Sequence, residues 1–271
     1  YVHYGANIAP RETVLAQPVI CDPKAGDAEY LGKLREGQIV FGWMHAVQNR
    51  DITDQLVDNR LTAIAWEDMF EGARHVFWRN NELAGEAAIM HAFTLYGKLP
   101  RDCNVALLGR GNVARGAFKV LGALGATITP YGRGMEELLR DELPTFDVIV
   151  NGALWDPVRG GHTIRRVDLE RLKHPAMIID ISCDRHGTIE TSVPTTIQNP
   201  VYSAQGVLHY VVDHTPALIA ITASEALSVE VVKYLDSIIE DRTSANEVLR
   251  AATIVRNGMI LDERIRSAQG R

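Results

Sequence analysis

The segment that most constrains the fold is the apolar run 104–108 with the Gly109-Arg110-Gly111-Asn112-Val113-Ala114 that follows it. Gly109 permits a tight turn, Gly111 lets backbone approach a pyrophosphate, and Ala114 keeps helix and strand close. Residues 112–124 then read as a helix capped by Gly125, whose N-terminus offers N–H groups and a positive dipole end to phosphate. A glycine pattern alone is common. Here it follows a strand, opens a helix and leads to a second strand at 126–131, which points to a dinucleotide-binding unit over a glycine turn of another kind.

The end of that second strand bears on the cofactor. An NAD site needs a carboxylate there for the ribose 2′-hydroxyl. The sequence instead reads Tyr131-Gly132-Arg133. Arg133 would pair with a 2′-phosphate, which a carboxylate would repel, so NADP(H) is expected; the plainer reading of Arg133 is a solvated loop residue. Arg110, within the glycine loop, is a further candidate phosphate contact.

Strands and helices alternate along the chain. Strands are expected at 18–21, 38–44, 61–66, 104–108, 126–131, 146–151 and 176–181, with a weak strand in the first ten residues. Helices are expected at 80–96, 112–124, 135–142 and 167–172, and beyond 218. This is an α/β pattern with parallel sheet, and 271 residues suit two domains. Three early strands end in polar residues, where ligands gather in open α/β sheets. His45 and Glu67 stand at two of those ends, and Lys24 follows the other.

The formal net charge of −6 gives no reason to expect nucleic acid or an anionic membrane as partner. No stretch reads as the roughly 18–20 apolar residues that cross a bilayer. The three cysteines, Cys21, Cys103 and Cys183, are odd in number and widely spaced, against a disulfide framework and for a cytoplasmic protein. No His-Glu-x-x-His or Cys-x-x-Cys occurs, so no metal is expected, and no Gly-x-Ser-x-Gly elbow offers a serine nucleophile. The chain starts at Tyr1, which reads as a fragment, a processed form or an incomplete chain.

Longer segments carry more specific information. Val19-Ile20-Cys21-Asp22-Pro23-Lys24-Ala25-Gly26-Asp27, Phe41-Gly42-Trp43-Met44-His45-Ala46 and Ala63-Ile64-Ala65-Trp66-Glu67-Asp68-Met69-Phe70-Glu71 are three of them. Asn80-Asn81-Glu82-Leu83-Ala84-Gly85-Glu86, Asp180-Ile181-Ser182-Cys183-Asp184 and Asp213-His214-Thr215-Pro216 are three more. Over nearly its whole length the sequence resembles the superfamily of alanine dehydrogenases and lysine-forming saccharopine dehydrogenases, and within it the N5-(carboxyethyl)ornithine synthases.

The resemblance implies a Rossmann domain inserted in a discontinuous α/β substrate domain. The expected bounds are 1–98 for the substrate domain, 99–217 for the NADP-binding domain and 218–271 for helices returning to the first. It implies a homo-oligomer and an NADPH-dependent oxidoreductase acting on CH–NH groups. Such an enzyme condenses a 2-oxo acid, pyruvate, with the side-chain amine of ornithine or lysine and reduces the imine. It also implies an opening Lys-Glu-x-x-x-Arg-type segment whose arginine holds a substrate carboxylate; that segment is not among these residues. An alanine or saccharopine-type dehydrogenase and a non-catalytic NADP-binding protein are the alternatives.

By position, His45 and Lys24 match the acid/base pair of the family, and Asp184 matches the acid after the last strand of its nucleotide domain. Arg74 matches an arginine that grips substrate carboxylate. His214 stands where alanine dehydrogenases have an asparagine near the substrate. Glu67 would hold the cationic end of a diamino substrate, or else serve as an ordinary carboxylate at a helix N-terminus. The cofactor-binding set is Gly109, Arg110, Gly111, Asn112, Val113, Ala114 and Arg133.

Overall fold

A computed structural model describes residues 2–155 and 160–271. The chain divides into two units, Tyr1–Phe77 with Ser228–Arg271, and Trp78–Leu227.

The first unit opens with helix α1 (Arg11–Leu15), strands β1 (Val19–Cys21) and β2 (Ile39–Gly42), helix α2 (Arg50–Asp58) and strand β3 (Thr62–Ala65). The strands pair in parallel, Val19 opposite Ile39 and Ile39 opposite Thr62. Every residue of β3 is buried, which accounts for its unbroken run of small and apolar side chains: both faces of the sheet are covered. Asn49 caps α2 by accepting from Ile52 N, and Ile52 and Leu56 join Val40 and Ala63 in the core. A hairpin of β4 (Phe70–Glu71) and β5 (Arg74–His75) ends this pass.

The second unit contains α3 (Trp78–Tyr96), β6 (Asn104–Leu108), α4 (Asn112–Ala123), β7 (Thr127–Tyr131), α5 (Glu136–Glu142), β8 (Val148–Asn151) and β9 (Met177–Asp180). β10 (Val201–Ala204) and β11 (Val207–Tyr210) follow, then α6 (Ala220–Ile239), which runs on into the first unit. The sheet order is β10-β11-β9-β8-β6-β7, with only the β10–β11 pair antiparallel. Chain direction across the sheet reverses at β6, which has β7 on one side and β8 on the other. A ligand crevice forms at such a reversal, outside the carboxyl ends of the strands.

Helices α3 and α4 touch backbone to backbone. A Cβ on Gly85 would stand 2.1 Å from Val113 O, and one on Gly116 would stand 1.9 Å from Glu82 O. At this crossing the buried Glu82 carboxylate accepts from Arg79 (3.0 Å), Arg115 (2.5 Å) and Lys119 (2.6 Å). Burial opposes its ionisation, but these three cations outweigh it and hold the acid below its ordinary pKa. Gly116→Val must part the helices, so we expect a loss of about 2–3 kcal/mol, read as a fall in melting temperature of roughly 5–10 °C by differential scanning calorimetry.

The chain returns to the first unit through α7 (Glu247–Ala252), β12 (Thr253–Arg256), β13 (Met259–Ile260) and α8 (Glu263–Gln269). β12 lies antiparallel to β3, and the full order is β1-β2-β3-β12-β13.

Four expectations change. The segment beyond 218 is not purely helical, because β12 and β13 extend the sheet. Residues Val2–Tyr4 form a 3-10 turn in place of a strand. The units part at 77/78 and 227/228, where 98/99 and 217/218 were expected, because α3 packs on α4 and so goes with the nucleotide-type sheet. Finally, Thr215–Ile239 is long and apolar enough to cross a membrane by length and composition, although it carries Glu225, Glu230, Lys233 and Asp236.

Candidate active site

In the second unit a cleft of about 900 Å³ opens at the reversal point, lined by the glycine loop, Tyr131, Gly132 and Arg133, residues 152–155 and His162. Gly109 adopts φ +101, and a Cβ there would meet Gly152 O at 2.9 Å, so this turn requires glycine. Gly111 caps α4 with no side-chain hydrogen bond, and a Cβ on it would meet nothing within 4 Å. The helix therefore starts at an open glycine with no side-chain cap, which leaves room for a pyrophosphate to approach its N-terminus over Gly111. Ala114 is buried, and its N lies 2.9 Å from where a Gly152 Cβ would be, so a larger residue at either position would push the loops apart.

Gly132, read in the sequence only as part of the strand end before Arg133, gains a role of its own here. It stands just past β7, and the Arg110 guanidinium lies over its bare Cα: a Cβ at 132 would be 3.2 Å from Arg110 Nε. Arg133 follows, exposed on the same cleft. Two arginines thus border the place where an NAD site would put a carboxylate.

Asp180 is buried at the C-terminal end of β9, bonded to Asn151, which immediately precedes the cleft-lining residues 152–155. Its carboxylate accepts from Asn151 Nδ2 (2.8 Å), Ser182 N (3.2 Å) and Cys183 N (3.4 Å), and from the Ser192 hydroxyl. Asn151 in turn accepts from Ala153 N at 3.2 Å. One acid therefore ties the cleft-lining loop after β8 to the loop that carries Asp184. Burial pushes its pKa up to about 6 against the pull of the Ser192 and Asn151 hydrogen bonds, and Asp184 adds to the rise. In the sequence Asp180 reads only as part of a family-like segment, with no role of its own, although an acid ending the run Met177-Ile178-Ile179 is a visible signal.

The folded Asp180 holds its proton to higher pH than the unfolded chain does. Its contribution to stability is full below about pH 3.8 and is lost as pH rises through about 6. Asp180→Asn cannot titrate. Relative to this variant, the wild-type protein should lose about 1–3 kcal/mol between pH 4 and pH 7, measured by urea unfolding of both at each pH; parallel curves would contradict the assignment.

Asp213 Oδ2 lies 2.6 Å from His214 Nδ1, which places the Nδ1 proton between them, and His214 itself has φ +66.

In the first unit the loops after β1 and β2 hold Lys24 and His45. Lys24 N donates to Asp22 Oδ1 (2.8 Å), Tyr30 OH donates to Asp22 Oδ2 (2.7 Å), and Lys24 Nζ pairs with Asp27. His45 is exposed with φ +51. The Glu67 carboxylate accepts from His45 N at 2.6 Å and from Met44 N at 3.1 Å. The Glu67 carboxylate, expected at the cationic end of a substrate, is thus engaged by two backbone N–H groups of the His45 loop. Arg74 lies exposed on β5, opposite Glu71. His75 Nε2 is 3.0 Å from Trp66 O; the carbonyl can only accept, so Nε2 carries the proton. Burial lowers the His75 pKa, partly offset by that bond.

Thus Lys24, His45, Glu67 and Arg74 belong to the first unit, and Asp184, His214 and the cofactor set to the second.

The family described as "Alanine dehydrogenase/PNT, C-terminal domain" matches residues 132–263. N(5)-(carboxyethyl)ornithine synthase of Clostridium botulinum is 32% identical over 245 residues, covering 84% of this chain and 77% of that protein. The synthase of Lactococcus lactis subsp. lactis is 31% identical over 248 residues, covering 84% and 78%. Alanine dehydrogenase of Mycobacterium tuberculosis is 26% identical over 282 residues, covering 90% and 76%. Among solved structures, an L-alanine dehydrogenase superposes with TM-score 0.81 at 19% identity, over 100% of this chain and 86% of its own. A transhydrogenase from Sinorhizobium meliloti gives 0.79 at 18% identity, over 96% and 86%. These two likenesses show the α/β fold with its Rossmann-type unit. With nearly a third of aligned positions shared with a synthase across three-quarters of that protein, the chain belongs to the alanine dehydrogenase superfamily that includes the N(5)-(carboxyethyl)ornithine synthases.

Proposed function

We propose that this protein is an NADPH-dependent oxidoreductase that joins a 2-oxo acid, pyruvate, to the side-chain amine of ornithine or lysine. The observation that carries the reading is the cleft in which Arg110 covers the bare Gly132 and Arg133 follows, at the position where a carboxylate would select NAD. The likeness to proteins named as carboxyethylornithine synthases supports the choice of substrates.

The residues fit the cofactor. The α4 N-terminus with Gly109 and Gly111 would hold the pyrophosphate, and Arg110 and Arg133 the 2′-phosphate. When bound, NADPH supplies a hydride. The amine nitrogen bonds to the oxo carbon and its proton passes to the oxygen, the carbinolamine takes up a further proton and loses water to leave a protonated imine, and that imine carbon takes the hydride to give a secondary amine. His45 gives and takes the proton at the carbinolamine oxygen, with Lys24 as its acid/base partner. Arg74 holds a carboxylate, and Asp184 and His214 orient the amine. On this reading the first unit is the substrate domain and the second the NADP domain. The protein is a cytoplasmic homo-oligomer that works without nucleic acid or membrane.

The test is the product. With pyruvate, ornithine and NADPH, mass spectrometry should show an N-carboxyethyl adduct carrying one deuterium when the transferred hydride is labelled. Alanine as the labelled product in the presence of ammonia, with no ornithine adduct, would replace this reading with alanine dehydrogenation.

A further inference from the structure

Two loops that carry candidate catalytic side chains meet in the first unit, and their contact is made by backbone. A Cβ on Gly26 would stand 2.1 Å from Met44 O, and one on Gly42 would stand 1.9 Å from Asp22 O. Gly26 N donates to Trp43 O at 2.8 Å, and Asp22 N donates to Phe41 O at 3.1 Å. The loop of Lys24 and the loop of His45 are therefore seated against each other backbone to backbone, with only the Ala25 methyl beside the contact.

From another element, Glu67 reaches the same loop. It follows β3 at the start of the turn Trp66–Asp68. Its Oε1 accepts from His45 N at 2.6 Å, and its Oε2 accepts from Met44 N at 3.1 Å. Two successive N–H groups converge on one carboxylate, and the residue that donates the shorter bond is in the left-handed region, φ +51. A histidine seldom takes that conformation, and it persists where surrounding bonds fix it. The His75–Trp66 O bond secures the residue just before Glu67.

We propose that Glu67 is a positioning residue. It clamps the Met44–His45 peptide against Gly26, which fixes the backbone from which the His45 imidazole projects and keeps the Lys24 loop in register with it. Its part in turnover rests on the reading of His45 as the proton-transfer group; the clamp itself rests only on geometry. A carboxylate suits the task because it accepts along both oxygens. In Glu67→Gln an amide NH2 replaces one oxygen and meets an N–H donor, which removes the 3.1 Å Met44 bond and leaves only the longer 3.3 Å approach of Met44 N to the remaining oxygen, now shared with His45 N.

The experiment is a double-mutant cycle combined with amide exchange. Glu67→Gln should lower kcat about 10- to 100-fold while the KM for NADPH stays within a factor of about two. In a His45→Ala background the same change should have no further effect on kcat, because the clamp then has nothing to position. An equal further loss in that background would overturn the proposal and leave Glu67 a general stabiliser. Independently of turnover, the Met44 and His45 amides should exchange with D2O at least about tenfold faster in Glu67→Gln, with amides of β6 and β8 unchanged. Unaltered exchange at those two amides would refute the clamp. Should the wild-type protein fail to turn over these substrates, the reaction reading falls, and the exchange rates alone decide the clamp.

Discussion

Gly132→Asp is expected to weaken NADPH binding by about 30- to 1,000-fold and to let NADH bind in its place. The estimate comes from two changes at one position. A side chain at 132 would enter the space held by the Arg110 guanidinium, 3.2 Å from the would-be Cβ, and displace it. The new carboxylate would also face the 2′-phosphate that Arg110 and Arg133 are proposed to hold. Losing one or two charge-assisted hydrogen bonds at about 2 kcal/mol each gives a total of about 2–4 kcal/mol. Quenching of protein fluorescence by each cofactor would give the two affinities. If the variant kept its preference for NADPH, the Arg110–Gly132 contact would not set cofactor choice.

His45→Gln should lower kcat by about 10²–10⁴, the range for loss of a general acid/base group, with NADPH affinity unchanged. Glutamine keeps a polar side chain of similar reach but cannot exchange a proton near neutrality. His45 is exposed and its side chain enters none of the core clusters, so folding should be unaffected. Stopped-flow measurement of a single turnover separates this loss from slow product release. A kcat within threefold of wild type would remove His45 from the chemistry.

These expectations came mostly from local patterns, and the structure shows why those patterns were readable. The strand-to-helix turn at Gly109 and Gly111 depends on residues within one βαβ unit, so its glycines announce it. β3, β6 and β8 are covered on both faces and read as unbroken apolar runs. The C-terminal hairpin was also legible and was passed over: Asn257-Gly258, both at positive φ, is a two-residue turn signal between β12 and β13. Gln205-Gly206 plays the same part between β10 and β11.

What could not be read depends on contacts between distant segments. Glu67 ends a strand as a ligand-facing acid would, yet its partners are backbone N–H groups more than twenty positions earlier. Arg110 and Gly132 become one feature only when β6 and β7 lie side by side. The placing of α3 with the second unit follows from Gly85 and Gly116, which look like ordinary helix glycines until the two helices cross.

The central claim is tested most directly by following NADPH oxidation at 340 nm while pyruvate and L-ornithine are supplied separately and together. The account predicts rapid oxidation only when both are present, far slower oxidation with NADH, and none with ammonia in place of the amino acid. Oxidation with pyruvate and ammonia alone would make the protein an alanine dehydrogenase, and tight NADPH binding without any turnover would contradict the claim that it catalyses this reaction.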